Sequence, residues 1–109
     1  MQQPPCLFVY GTLRRGFENQ YARLLHANAL FLGAAKMQGR LLQFGEYTGA
    51  VISDRPDDWI AGELFELIDP KILDSLDAYE GLDYERVLAT ASLEDGAERD
   101  TWVYLLRRR

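Results

Sequence analysis

Apolar and polar positions along this chain fall into short runs that favour strands over helices. Residues 6–10, Cys-Leu-Phe-Val-Tyr, form a continuous apolar run between Pro5 and Gly11, as expected of a buried strand. Residues 11–16 follow as a loop with a glycine at each end. Phe17, Tyr21, Leu24 and Leu25 then recur at helical spacing and put one apolar face on a helix, with Asn28 and Gly33 as stopping points. Strands are expected at 30–35, 39–44 and 50–53, divided by Gly45 and Gly49, before a polar turn at 53–58. Residues 59–68 read as one long strand. Asp69 and Pro70 supply an acidic N-cap and a proline at the first helical position, which predicts a helix to about 79 or 80 that stops at Gly81. Val87, Ala89, Ala91 and Leu93 alternate along one strand, residues 94–97 turn, and 101–106 return as a hairpin. Two helices among many strands predict an α+β fold: a small mixed, mostly antiparallel, barrel-like sheet rather than a doubly wound parallel one.

The length of 109 residues predicts a single domain over 1–109. Asp plus Glu outnumber Lys plus Arg by 17 to 12, a net charge of −5. That balance argues against nucleic acid as the main partner, because phosphate contacts require clustered cations. The run Arg107-Arg108-Arg109 is a charged end, most simply solvated. One cysteine, Cys6, excludes an internal disulfide and a cysteine-rich zinc site; one histidine, His26, leaves His-rich metal sites poorly supported. No apolar run has the length of a membrane span, and residues 1–5 lack the charged and apolar regions of a signal peptide. These features lead us to expect a cytoplasmic protein with no membrane partner.

The second helix carries a carboxylate on its apolar side. Its stripe is Ile72, Leu73 and Leu76, and Glu80 continues that stripe four residues after Leu76. A carboxyl taken out of water holds its proton more tightly, which suits a general base near neutral pH. The alternative is a partly wet Glu80 in a fraying last turn, paired with Arg86. The pattern alone leaves both readings open.

Tyr10-Gly11-Thr12-Leu13-Arg14 is the second stretch with chemical content. Glycine directly after a buried strand lets the backbone turn sharply and approach a ligand closely. Successive amides in such a turn can converge on a carboxylate or a developing oxyanion. An ordinary strand-to-helix connection has the same local sequence, and the spacing of a phosphate-binding P-loop is absent.

The run Phe8-Val9-Tyr10-Gly11-Thr12-Leu13-Arg14-Arg15-Gly16, with Asn19 after it, closely resembles the opening motif of the AIG2-like γ-glutamylcyclotransferase superfamily. Residues 45–51, Gly-Glu-Tyr-Thr-Gly-Ala-Val, resemble its central Gly-x-Tyr-Pro-Gly-Ala-Val element, and 60–65 its Val-x-Gly-Glu-Leu-Tyr strand. Leu76-Asp77-Ala78-Tyr79-Glu80-Gly81, then Tyr84-Glu85-Arg86, resemble its catalytic Leu-Asp-x-x-Glu-Gly and the following Tyr-x-Arg. Thr101-Trp102-Val103-Tyr104 resembles its closing strand. Thr48 stands where the family usually has proline, which leaves that loop less rigid, and Gln20 where histidine is common; neither departure touches the two central motifs.

The resemblance implies a cofactor-independent enzyme acting on a small γ-glutamyl substrate. The free α-amine of the glutamyl group attacks its own γ-carbonyl, giving 5-oxoproline and a released amine or peptide. By resemblance Glu80 is the catalytic acid/base, and Tyr10, Gly11, Thr12 and Leu13 are substrate-binding positions. Two other readings stay open: a non-catalytic binding module on the same fold, and an enzyme that trims a γ-glutamyl group in a biosynthetic pathway. Among weaker candidates, Glu63 could line the pocket or form a structural pair, Tyr84 and Tyr104 could shape the cavity or pack in the core, and Arg14 could face an anionic substrate tail or, with Arg15, be solvated; His26 and Cys6 are expected to be structural.

Overall fold

A computed structural model of the chain describes residues 5–44 and 47–107, with only the backbone of Phe44 and Tyr47. Gly45 and Glu46 of the central element, the terminal segment 1–4, and Arg108 and Arg109 of the basic tail lie outside the described residues. The elements run β1 (Cys6–Val9), α1 (Gln20–Ala27), β2 (Ala29–Gln38), β3 (Arg40–Phe44), β4 (Tyr47–Val51), β5 (Trp59–Leu67), α2 (Ile72–Glu80), β6 (Tyr84–Leu93) and β7 (Glu98–Leu106).

The strands make one sheet in the order β1-β5-β2-β6-β7-β4-β3, and an added pairing of β1 with β7 closes five of them into a barrel. Closure is parallel, with Leu7 opposite Trp102. The β4 strand also runs parallel to β7, whereas the remaining pairs are antiparallel. The expected α+β architecture of a mostly antiparallel barrel with two helices is therefore the observed one.

Alternation on β1 builds two apolar layers. Leu7 and Val9 join Phe65, Leu67, Tyr104 and the helix residues Leu25, Leu73 and Leu76. Cys6 and Phe8 join a second cluster made only of strand residues, including Ile60, Leu64 and Val103. Leu76 is wholly buried, so the apolar stripe of α2 faces inward as its spacing requires, and truncating it to alanine would cost about 2–5 kcal/mol.

Several boundaries differ from the sequence pattern for local reasons. The first helix starts at Gln20, not Phe17, because Asn19 caps it: its side chain accepts from the Tyr21 and Ala22 amides. Phe17 is left 40% exposed in the loop. The second helix starts at Ile72 after a turn in which Asp69 Oδ1 accepts the Lys71 amide at 3.0 Å. Gly33 does not stop a helix; it sits in β2 at φ +144, beside a register shift against β5. Gly49 does not separate strands either. It lies within β4, where a Cβ would come within 2.2 Å of the Leu106 side chain, so any larger residue there would force Leu106 to move.

Candidate functional site

The first strand leads into loop 10–16, which is held from outside at nearly every residue. Tyr10 donates its hydroxyl to the Tyr104 carbonyl and accepts from the Ala50 amide at 3.1 Å. The Gly11 carbonyl accepts from the Arg14 amide at 3.2 Å and from Arg14 Nε at 3.0 Å. Asn19 Nδ2 donates to the Thr12 carbonyl at 2.9 Å, and His26 Nε2 lies 2.9 Å from the Leu13 carbonyl. The Arg15 amide donates to Glu63 Oε1 at 2.7 Å. These bonds engage the carbonyls of Gly11, Thr12 and Leu13 and the amides of Arg14 and Arg15. The N–H groups of Gly11, Thr12 and Leu13 find no protein acceptor among the described residues, so they remain available as donors.

The chain turns at Gly11, as its position suggested, with the Gly11 carbonyl accepting the Arg14 amide, but the turn does not use the conformation reserved for glycine. The Gly11 backbone lies outside the left-handed region, and a Cβ there would meet nothing within 4 Å. Glycine at this position leaves room in the cavity rather than permitting a strained bend. The Leu13 side chain is buried in the core, so only its backbone can serve a ligand.

That cavity, of about 720 Å³, is lined by Tyr10, Gly11, Thr12 and Leu13 and by Glu80. All five residues singled out from the sequence therefore share one space. Glu80 is the last residue of α2 and is half-buried. Burial pushes its carboxyl up to about 7, with no cation pulling it back. No hydrogen bond to that carboxyl occurs among the described residues. The alternative pairing with Arg86 is not made: the guanidinium binds Asp77 instead, through Nε at 2.8 Å and Nη2 at 3.1 Å. Tyr104 donates to the same Asp77 at 2.7 Å.

Tyr79, Tyr84 and Tyr104 complete much of the wall. Tyr79 stacks on Tyr21 with ring centroids 4.5 Å apart, and its hydroxyl lies 2.7 Å from Thr12 Oγ1. The Tyr84 hydroxyl donates to the Thr48 carbonyl at 2.9 Å, a backbone contact that fixes β4 without proline at this position. Asn19, His26 and Glu63 hold the binding loop: Asn19 from the adjoining helix cap, His26 and Glu63 from further along the chain. Glu63 forms the structural pair with Arg15 and does not line the cavity, and His26 is structural; the sequence pattern named these residues but not their partners. Cys6 is buried, with Sγ 3.4 Å from Arg99 Nη2; it packs away from the cavity. Among the described residues, no three His, Cys, Asp or Glu side chains gather closely enough to hold a metal ion. No helix among them is long and apolar enough to cross a membrane.

The model of the family described as "Gamma-glutamyl cyclotransferase, AIG2-like" matches residues 7–109, which takes in both the loop and α2. The chain belongs to the AIG2-like γ-glutamyl cyclotransferase family. A protein of Methanocaldococcus jannaschii named "Putative gamma-glutamylcyclotransferase" is 32% identical over 100 residues, covering 90% of this chain and 81% of that one. Among solved structures, a mouse AIG2-like protein superposes with a TM-score of 0.72 at 27% identity, covering 95% of this chain and 78% of that one. YkqA of Bacillus subtilis gives a TM-score of 0.78 at 26% identity over 96% of this chain. The match takes up 36% of YkqA, so this AIG2-like chain spans about a third of that relative.

Proposed function

We propose that this protein is a γ-glutamyl cyclotransferase that closes the glutamyl part of a γ-glutamyl amine or peptide into 5-oxoproline. The observation that carries this reading is the half-buried Glu80 carboxyl, without a cationic partner, in the same cavity as the free amides of residues 11–13.

Nucleophile and electrophile belong to one molecule, so the protein's first task is to fold the substrate. Well-oriented intramolecular reactions reach effective molarities of order 10⁵ M or more. The compact glutamyl end rests against Tyr10, Gly11, Thr12 and Leu13, where the space left by Gly11 admits it. The substrate's α-ammonium then gives a proton to the Glu80 carboxylate, and the freed amine attacks the γ-carbonyl carbon. A ring C–N bond forms and the carbonyl electrons move onto oxygen. Amide donors that meet that charge once the bound substrate has displaced water from the cavity contribute a few kcal/mol, on the order of 3. Collapse of the intermediate breaks the bond to the leaving nitrogen, which takes the proton back from Glu80, and the ring nitrogen then gives its surplus proton to the regenerated Glu80 carboxylate, which passes it to the released amine or to water. A carboxyl near 7 both accepts and returns a proton at neutral pH.

The test is release of 5-oxoproline from a panel of γ-glutamyl compounds by the wild-type protein and by Glu80→Gln, which keeps size and removes the base. Turnover by wild type and its loss in the variant are expected. Equal turnover by both would remove Glu80 from the role of base. Ligand binding without turnover of any panel member would instead favour a binding module.

A further inference from the structure

Arg14 and Arg15 are neighbours that the fold uses in different ways. Arg15 is committed to the outside of the loop: its guanidinium lies 3.4 Å from the centroid of the Phe31 ring, and its Nε is 3.7 Å from Glu63 Oε2. Arg14 lines the cavity. Its Nε is fixed on the Gly11 carbonyl and its Cζ lies 5.4 Å from the Phe17 ring centroid. Both terminal nitrogens of that guanidinium have no protein acceptor among the described residues. Arg14 is the one cation among the described cavity-lining residues, as Glu80 is the one carboxylate. Only burial shifts Glu80, so the Arg14 charge is not spent on it.

We propose that Arg14 is the specificity-determining residue for the leaving group, selecting γ-glutamyl amino acids, whose released amine carries a carboxylate, over γ-glutamyl conjugates of plain amines. This rests on the cyclotransferase reading above. The glutamyl α-carboxylate is bonded to the same carbon as the α-amine that must reach Glu80, so it stays on the Glu80 side, with the amides of residues 11–13. The leaving nitrogen itself reaches Glu80, but the rest of the leaving amine extends beyond the reacting carbonyl and is the part of the substrate free to reach a guanidinium that does not act on Glu80. A pre-positioned guanidinium with two free nitrogens fits a carboxylate in a bidentate manner. Phe17 and Leu41, 40% and 44% exposed, line the same cavity and offer apolar contact to a side chain on that amino acid.

A matched pair isolates the carboxylate: γ-glutamyl-leucine and γ-glutamyl-isopentylamide differ only by that group. Steady-state 5-oxoproline release is measured for both with wild type, Arg14→Gln and Arg14→Lys. Wild type is expected to favour the leucine conjugate by about tenfold in kcat/KM, the order of a partly exposed charged hydrogen bond. Arg14→Gln should erase that ratio through a higher KM for the leucine conjugate, and Arg14→Lys should retain part of it. The ratio is indifferent to the folded fraction and to damage of the shared glutamyl subsite. Equal loss on both substrates in Arg14→Gln, or no wild-type preference, overturns the inference and leaves the cyclotransferase reading standing. Absence of release from both substrates by wild type overturns the inference, and turnover of the wider γ-glutamyl panel decides the cyclotransferase reading separately.

Discussion

Asp77 and Glu80 stand three residues apart on α2, and the fold treats their carboxyls in opposite ways. Asp77 receives two bonds from Arg86 and one from Tyr104. Burial alone would raise its pKa, but these partners outweigh that effect and hold it below the usual carboxylate range. Glu80 receives none among the described residues, and burial drives it to about 7. One helix thus carries a carboxylate stabilised as an anion and another kept ready to exchange its proton. The cation that could have quenched Glu80 is captured by Asp77. The Asp in the Leu-Asp-x-x-Glu pattern therefore binds the guanidinium that the sequence also offered to Glu80.

The largest expected effect of breaking this contrast is on rate. Glu80→Gln should lower kcat/KM by about 10²–10⁴, the usual worth of a positioned general base. Asp77→Asn should stay within about tenfold of wild type, because it loses anchoring but not the proton acceptor. Initial rates of 5-oxoproline release at matched folded concentration decide it. An Asp77→Asn protein that folds fully and is as slow as Glu80→Gln would dissolve the distinction.

Much of this contrast was legible in the amino-acid pattern, and the rest was not for definable reasons. The stripe Ile72, Leu73, Leu76 put Glu80 on the inward side, because helical spacing is a local property. The partner of Arg86 is not set locally: the sequence offers it both Asp77 and Glu80, and in the fold it binds Asp77, together with its cross-strand neighbour Tyr104, which donates to the same carboxyl. Strands 59–68 and the terminal hairpin could be read from apolar runs and turn residues. The β1–β7 closure joins Leu7 to Trp102 through a single parallel pairing, and no periodicity encodes such a contact. The start of α1 was misplaced because Phe17 fitted the apolar spacing, whereas the cap at Asn19 decided it. The division of labour between Arg14 and Arg15 depends on which way each side chain leaves the loop, and adjacent identical residues give no sign of that.

The next effect in size is on stability. In the window from the ordinary value of 4.5 up to about 7, the native state holds the Glu80 proton and the unfolded chain has released it. Stability therefore falls as pH rises through that window, and above it the full cost of the buried charge remains. The cost is on the order of 2 kcal/mol once partial solvation is allowed for. Glu80→Gln should remove this slope and be more stable than wild type at pH 8, while the two converge near pH 4.5. Chemical denaturation at several pH values measures it. A wild-type curve without the extra slope would show that Glu80 titrates as a hydrated carboxylate. Asp77 has the opposite sign: its depressed pKa gives stability above the carboxylate range that is lost as pH falls through the folded value. Because the Asp77 side chain is 40% exposed, Asp77→Asn should cost only about 1 kcal/mol at pH 7.

The smallest effect separates anchoring from catalysis within one wall of the cavity. Tyr104 is buried, and its hydroxyl, raised by burial and by the bond to Asp77, stays protonated and donates to that carboxylate. Tyr104→Phe keeps the ring in the core and removes one of three donors to Asp77. Arg86 still holds both carboxylate oxygens, and Arg86 itself lies over the Trp102 ring at 4.4 Å, so the pair does not depend on the hydroxyl. The expected loss is about 0.5–1 kcal/mol of stability, with the Asp77 pKa moving up and kcat changed less than threefold. NMR titration of the Asp77 carboxyl and the rate are both needed. A rate that drops strongly while stability is unchanged would make the Tyr104 hydroxyl a donor to the substrate, and the cavity wall would then be part of the chemistry rather than the frame that leaves Glu80 uncompensated.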